Sequence, residues 1–176
     1  MRALALLALV VSLANAAPLA GQAFTPPPVK RASPRGTRIG LYGFGIRSGL
    51  DANGGGQAVL GATLDAGNLF VSRLRVRPSG EVGMLNGANT YAGSLEFLYR
   101  FLDDDRAAAP YLGGGLSVAG HTDCGADPGC PGLWVNVVLG IEVRVRSTFN
   151  WLIEYHAMDA FKHNRLYLGL TTRRGN

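Results

Sequence analysis

The sequence predicts an all-β chain, an eight-stranded antiparallel up-and-down transmembrane β-barrel with a packed polar interior. Three observations predict it. In Leu133 to Arg146 every odd position is aliphatic (Leu133, Val135, Val137, Leu139, Ile141, Val143, Val145), while the even positions hold Trp134, Asn136, Val138, Gly140, Glu142, Arg144 and Arg146. Such alternation is the mark of a strand with two unlike faces, and a helix would scatter the same aliphatics around its circumference. The run also exceeds the ~9–11 residues that carry a tilted strand across a bilayer. Second, runs of this kind recur from residue 37 onward until eight are counted. Third, the non-aliphatic face carries both signs of charge, which suits a narrow interior better than a wet surface.

Composition agrees. The chain has 176 residues, enough for one modest domain, with 25 glycines and only 16% charged residues. Lys30 and Lys162 are the only lysines, so the positive charge is nearly all arginine. A soluble exterior ordinarily carries lysine and glutamate. The net charge of +5 comes without a basic patch interleaved with aromatics, so nucleic-acid binding is not expected.

In chain order, residues 1–16 read as a secretory signal peptide. Arg2 supplies the basic start, Ala3 to Leu13 the apolar stretch and Ala14-Asn15-Ala16 the small-residue cleavage site. Residues 17–36 hold Pro26-Pro27-Pro28 and Ser33-Pro34-Arg35-Gly36, the composition of an extended periplasmic linker. The barrel is expected over 37–174, with strands near 37–47, 56–66, 70–84, 89–102, 110–120, 132–146, 149–159 and 164–173.

Each strand has its own reading. In the first, Tyr42, Phe44 and Ile46 share one face and Ile39 and Leu41 the other, the weakest alternation of the set. In the third, Leu74, Val76, Val82 and Met84 oppose Arg73, Arg75, Arg77 and Glu81. In the fourth, Tyr91, Leu95, Phe97, Tyr99 and Phe101 oppose Ser94, Glu96 and Arg100. The seventh sets Phe149, Trp151, Ile153 and Tyr155 against Asn150, Glu154 and His156. The eighth sets Leu166, Leu168 and Leu170 against Arg165, Tyr167, Gly169 and Thr171. Loops are expected at Ser48–Gly55, Leu85–Ala88, His121–Pro131 and Ala160–His163, with tight turns near Gly67-Asn68 and Ser147-Thr148. The remaining connection, Asp103 to Ala109, is longer and acidic. Long loops at one end and turns at the other are expected of an outer-membrane barrel with periplasmic termini.

An apolar face can point into a lipocalin-like cup or out to lipid. The polar face decides for lipid. Asp65, Glu81, Glu96, Glu142 and Glu154 balance Arg73, Arg75, Arg77, Arg100, Arg144, Arg146 and Arg165. Buried charges are tolerable only when paired, and arginine can grip a carboxylate through two parallel hydrogen bonds. With periplasmic termini, Phe97, Tyr99, Phe101, Phe149 and Trp151 fall near the periplasmic rim and Tyr91 and Tyr155 nearer the outer rim. Two lipid-facing aromatic girdles result.

With these features the sequence resembles the small eight-stranded outer-membrane barrels of Gram-negative envelopes, of the outer membrane protein A and X type. The resemblance covers about residues 37–174 and lies in the export signal, the alternating runs, the inward Arg and Glu, and the late strand Trp151-Leu-Ile-Glu-Tyr155. It implies residence in the outer membrane, contact with its lipid and lipopolysaccharide, and insertion by the barrel-insertion machinery. It also implies surface loops open to a host or cell-surface ligand. These barrels usually end in an aromatic residue, whereas this chain continues past Leu170 to Thr171-Thr-Arg-Arg-Gly-Asn176.

Two clusters could carry chemistry. Cys124 and Cys130 bracket Gly-Ala-Asp-Pro-Gly in the longest loop, and in an exported chain they are expected to form a loop-closing disulfide. A redox pair or a metal site with His121 is the alternative, but the spacing is C-x5-C rather than C-x-x-C and only one histidine is near. The second cluster is Glu154, His156, Met158, Asp159 and His163. Its late histidine resembles that of lipid A deacylases, which are also eight-stranded barrels and pair it with a serine two residues on. Here that place is Met158, so catalysis by His156 and Glu154 lacks a nucleophile. Gly54-Gly55-Gly56 and Gly113-Gly114-Gly115 precede no helix and match no phosphate loop.

Neither cofactor nor metal is expected. An eight-stranded lumen is about filled by side chains, so a general diffusion pore is not expected either. The expected role is structural or recognitional, in envelope integrity or adhesion. A narrow ion channel, a lipid A-modifying hydrolase and a lipocalin-like periplasmic carrier are the alternatives.

Overall fold

A computed structural model describes residues 36–52, 56–102, 106–125, 129–146 and 148–172. The expected signal peptide and all of the expected linker but Gly36 lie outside the described residues, as do positions 173–176. The described chain is all β: β1 (Arg38–Asp51), β2 (Gln57–Asn68), β3 (Leu74–Met84), β4 (Thr90–Arg100), β5 (Ala108–His121), β6 (Gly132–Arg144), β7 (Phe149–Met158) and β8 (His163–Thr172). Each strand pairs antiparallel with the next. β8 returns to β1 in the register Gly45↔Thr171 through Asp51↔Arg165, which closes the barrel. Closure pairs the two end strands with each other over that span, as a sheet in hydrocarbon requires.

The apolar face points outward. Leu133, Val135, Val137, Leu139 and Val143 of β6 are exposed while Asn136, Val138 and Gly140 between them are buried. The same alternation places Phe97, Tyr99, Trp151, Ile153, Leu166 and Leu168 on the outer wall. A continuous exposed apolar band of this extent is what lipid covers and what water would not tolerate. A lipocalin-like cup would need the opposite arrangement.

The sequence reading and the structure part company in several places. β1 runs on to Asp51, so the residues assigned to a loop from Ser48 include four of strand. The register between β1 and β2 shifts between Ile39 and Gly43. This irregularity lets Ile39 and Leu41 share the exposed face with Phe44 and Ile46, although their numbers differ in parity. β2 likewise runs to Asn68, moving the expected tight turn from Gly67-Asn68 to the five residues 69–73. Arg73, expected on β3, lies in that turn. Val76 is buried beside Arg77 instead of facing outward, next to a second register shift between Thr63 and Gly67 of β2. Phe149 is half-buried rather than exposed.

Glycines set how tightly the wall closes. A Cβ on Gly140 would enter the ring of Tyr111, and one on Gly49 would meet Tyr167 Cδ1 at 2.7 Å. Both rings therefore take up space over wall positions that have no side chain. Gly169 brings β8 against β1 beneath Arg47, where a Cβ would meet Arg47 Cα at 2.9 Å.

Candidate functional site: the lumenal ion network and the cysteine mouth

Among the described residues, the middle of the lumen holds three guanidiniums, Arg47, Arg77 and Arg165, against four carboxylates, Asp51, Glu81, Glu96 and Glu154. Arg47 is its hub. One terminal nitrogen donates to Glu154 Oε2 at 2.6 Å and the other to Glu81 Oε1, with Glu96 Oε1 at 3.6 Å. Arg77 on β3 faces Glu96 on β4 in the strand register and donates to it at 2.7 Å, and it also pairs with Glu154. Arg165 bridges Asp51 at 2.9 Å and Glu81 at 2.7 Å.

Carboxylates outnumber guanidiniums here, and hydroxyls supply further donors. Tyr167 donates to Glu81 Oε2 at 2.6 Å, Tyr111 donates to Glu154, and Ser79 donates to Glu96 at 3.2 Å. The Arg47 guanidinium also lies 4.7 Å over the Tyr167 ring, a cation–π contact. In this confined space each charge has an opposite charge or a phenol against it, the condition under which buried charges are tolerated. Tyr111, Tyr167, Leu152, His156, Glu96 and Glu154 are the largest side chains sealed from solvent.

The interior is not wholly polar. Leu98, Tyr111, Val138 and Leu152 form an apolar cluster on the inner face of β4 to β7. Toward the end of the barrel where β1 begins and β8 ends, two further pairs occur: Arg75 with Asp65 at 3.2 Å, and Arg100 with Glu142 at 2.7 Å, which also accepts from Asn150. These pairs flank a cavity of about 40 Å³ bordered by Thr63, Val76, Arg77, Tyr111 and Thr171. That volume suits a few waters and no larger solute. Arg144 is half-buried at the end of β6.

His156 and Glu154 are deep in this network, on the inward face that alternation gave them. His156 is 1% exposed; its Nε2 lies 3.1 Å from Arg47 and 3.2 Å from Glu154 Oε2. That nitrogen can accept from Arg47 or donate to Glu154, not both, because arginine only donates. Two residues on, Met158 is buried and brings no hydroxyl. The pair is walled off from lipid by the barrel itself.

The opposite end of the lumen is different in kind. Asp51 accepts from His163 Nδ1 at 3.0 Å as well as from Arg165. Gln57 donates to the Asn86 and Ala88 carbonyls at 2.7 and 2.8 Å, tying β2 to the next loop. Beyond β5, Cys124 and Cys130 form a disulfide with Cα atoms 5.3 Å apart. His121, the last residue of β5, brings its imidazole close, so that its ring nitrogen and the two sulfurs lie within 4.8 Å of one another. On the outer wall Tyr91, Tyr99, Phe97, Phe101, Trp151 and Tyr155 are all exposed, with Phe97, Tyr99, Phe101 and Trp151 toward the terminal end.

Sequence reasoning missed Arg47, Asp51 and Tyr111. The signal for the first two was present: Gly45, Arg47, Gly49 and Asp51 alternate with Phe44, Ile46, Ser48 and Leu50. The glycines and Ser48 made that stretch look like the start of a loop. Tyr111 gave no polar cue, and its place inside depends on the vacancy at Gly140 across the β5–β6 pair.

No protein-family model matches the sequence, and no curated protein does. Among solved structures the chain is similar to the N-terminal β-barrel domain of OprF from Pseudomonas aeruginosa, at 15% identity over 76% of this chain and 98% of that one, with a TM-score of 0.55. It is similar to Neisserial surface protein A at 14% identity over 74% of this chain and 94% of that one, TM-score 0.54. A de novo designed transmembrane β-barrel matches at 15% identity over 77% of this chain and 96% of that one, TM-score 0.51. At these identities the likeness is one of fold. The chain has the eight-stranded fold of the small transmembrane barrels, and its apolar outer wall and charged interior fit that fold physically.

Proposed function

We propose that this protein is an outer-membrane β-barrel of a Gram-negative envelope, exported by its N-terminal signal, with a structural or surface-recognition role. The observation that carries the reading is the sealed lumen. Around Arg47, the three carboxylates of Glu81, Glu96 and Glu154 with Arg77, Arg165, His156, Tyr111 and Tyr167 fill the lumen. A solute would have to break several buried ion pairs to pass, which general diffusion does not do. Function then falls to the two surfaces left: the outer wall, in contact with membrane lipid and lipopolysaccharide, and the loops. The loops, above all Cys124–Cys130, are the surface offered to a host or cell-surface ligand. Insertion would proceed through the barrel-insertion machinery.

A lipid A-modifying hydrolase has less support, because His156 and Glu154 are occupied by arginine partners inside the barrel. Membrane fractionation followed by gel mobility of boiled against unboiled samples tests the reading. An outer-membrane band whose mobility shifts on boiling is expected. A soluble periplasmic product with no shift would contradict it.

A further inference from the structure

We propose that His121, Cys124 and Cys130 form a binding site for Zn2+ that is closed by the disulfide and opened by thiol reduction. Three observations meet there. The two sulfurs and an imidazole nitrogen already lie within 4.8 Å of one another. In a tetrahedral zinc site with ordinary bond lengths, ligand atoms sit roughly 3.5–3.8 Å apart, so shifts of about 1 Å complete the geometry. The Cα atoms of the cysteines, 5.3 Å apart, are near enough for both sulfurs to grip one ion without backbone rearrangement.

The second observation is the imidazole itself. Nδ1 of His121 is buried and has no hydrogen-bond partner among the described residues. A buried polar nitrogen is normally paired, and an unpaired one on an imidazole that brings a ring nitrogen within 4.8 Å of two sulfurs points to a ligand. The third is the anchoring of the site. His121 is held in the β4–β5 ladder opposite Thr90, and Thr122 N donates to Asn89 O at 2.9 Å. The backbone N of Cys124 donates to His121 O at 3.2 Å, and His121 N donates to Cys124 Sγ at 3.4 Å. An N–H aimed at sulfur favours the thiolate that a metal requires.

The chemistry balances with a thiol as reductant. Two equivalents of R–SH break the Cys124–Cys130 bond, form R–S–S–R and leave two protein thiols. Zn2+ displaces the two thiol protons, making two Sγ–Zn bonds, and neutral His121 gives the third. Water takes the fourth position, as at zinc sites with three protein ligands. Oxidation reverses the sequence and releases the ion. The site is thus silent in an oxidising medium and loads where thiols accumulate.

The test uses the full chain folded in detergent micelles, with its boiling-dependent mobility shift as the check on folding. After reduction with a phosphine, Co2+ is titrated as a spectroscopic stand-in and Zn2+ is then competed against a chromophoric chelator. The expected result is a thiolate-to-cobalt charge-transfer band in the reduced protein and none in the oxidised protein. His121→Ala is expected to weaken Zn2+ binding at least about tenfold, with His121→Gln as a second variant, since even outer-sphere supports are worth that much. Folding should be unchanged. Absence of the band in folded, reduced protein would overturn the proposal. So would Zn2+ binding by folded His121→Ala and His121→Gln as tight as in the unsubstituted chain.

Discussion

The middle of the lumen and its cysteine-bearing mouth are built on opposite principles. In the middle, Glu154 alone is met by Arg47, Arg77, Tyr111 and His156. Elsewhere whole groups stand alone: Asn136, inside β6, is buried with neither its amide oxygen nor its nitrogen partnered, and at the mouth His121 Nδ1 has no partner among the described residues, whereas the unpaired Nε of Arg47 belongs to a guanidinium that grips carboxylates through its other nitrogens. Over-determined charge locks a structure, because no member can move without stranding another. Incomplete satisfaction marks where water, an ion or a partner can enter. The molecule is closed at its centre and chemically open at one end.

The contrast can be broken first at the centre. Glu154→Ala leaves Arg47 and Arg77 short of a carboxylate, and the expected loss is about 3–5 kcal/mol, read by urea titration of the boiling-resistant band. Replacing Arg77 and Glu96 together by Met and Leu removes both charges at once, and its loss should fall well below that of Arg77→Ala or Glu96→Ala alone. A double-variant loss equal to the sum of the two single losses would show that these charges do not act as a pair.

Packing beneath the network gives the next effect. Gly140→Ala drives a methyl group into Tyr111 and is expected to destabilise by about 1–3 kcal/mol by the same titration. Opening the loop with Cys124→Ser and Cys130→Ser should remove about 2 kcal/mol or less of loop constraint. Its readout is faster proteolysis confined to the loop, with the barrel core still resistant. The smallest effect belongs to Asn136→Leu: no bond is lost, so stability should stay within about 1 kcal/mol of the original. A large loss there would mean that this position is as tightly specified as the ion pairs.

The legibility of these two regions in the sequence also differs. Period-two alternation made the wall readable, and with it the inward placing of Glu81, Glu96, Glu154, Arg77 and Arg165. It could not show that Arg47 is the hub. That depends on β1 and β8 meeting at barrel closure, which sets Arg47 opposite Gly169 across a pairing of residues remote in sequence. Nor could it show the outward turn of Ile39 and Leu41, because a register shift reverses the parity that alternation counts. At the mouth, the cysteine pairing was legible from spacing. The approach of His121 was not, since it follows from the way the loop folds back on the end of β5.

Single-channel recording of the purified protein in planar bilayers tests the central claim, a lumen sealed by its own ion pairs. The unsubstituted chain should show no stepwise openings, and Arg77→Ala or Glu96→Ala should raise conductance if either leaves the barrel folded. A steady open conductance in the unsubstituted protein would contradict the account.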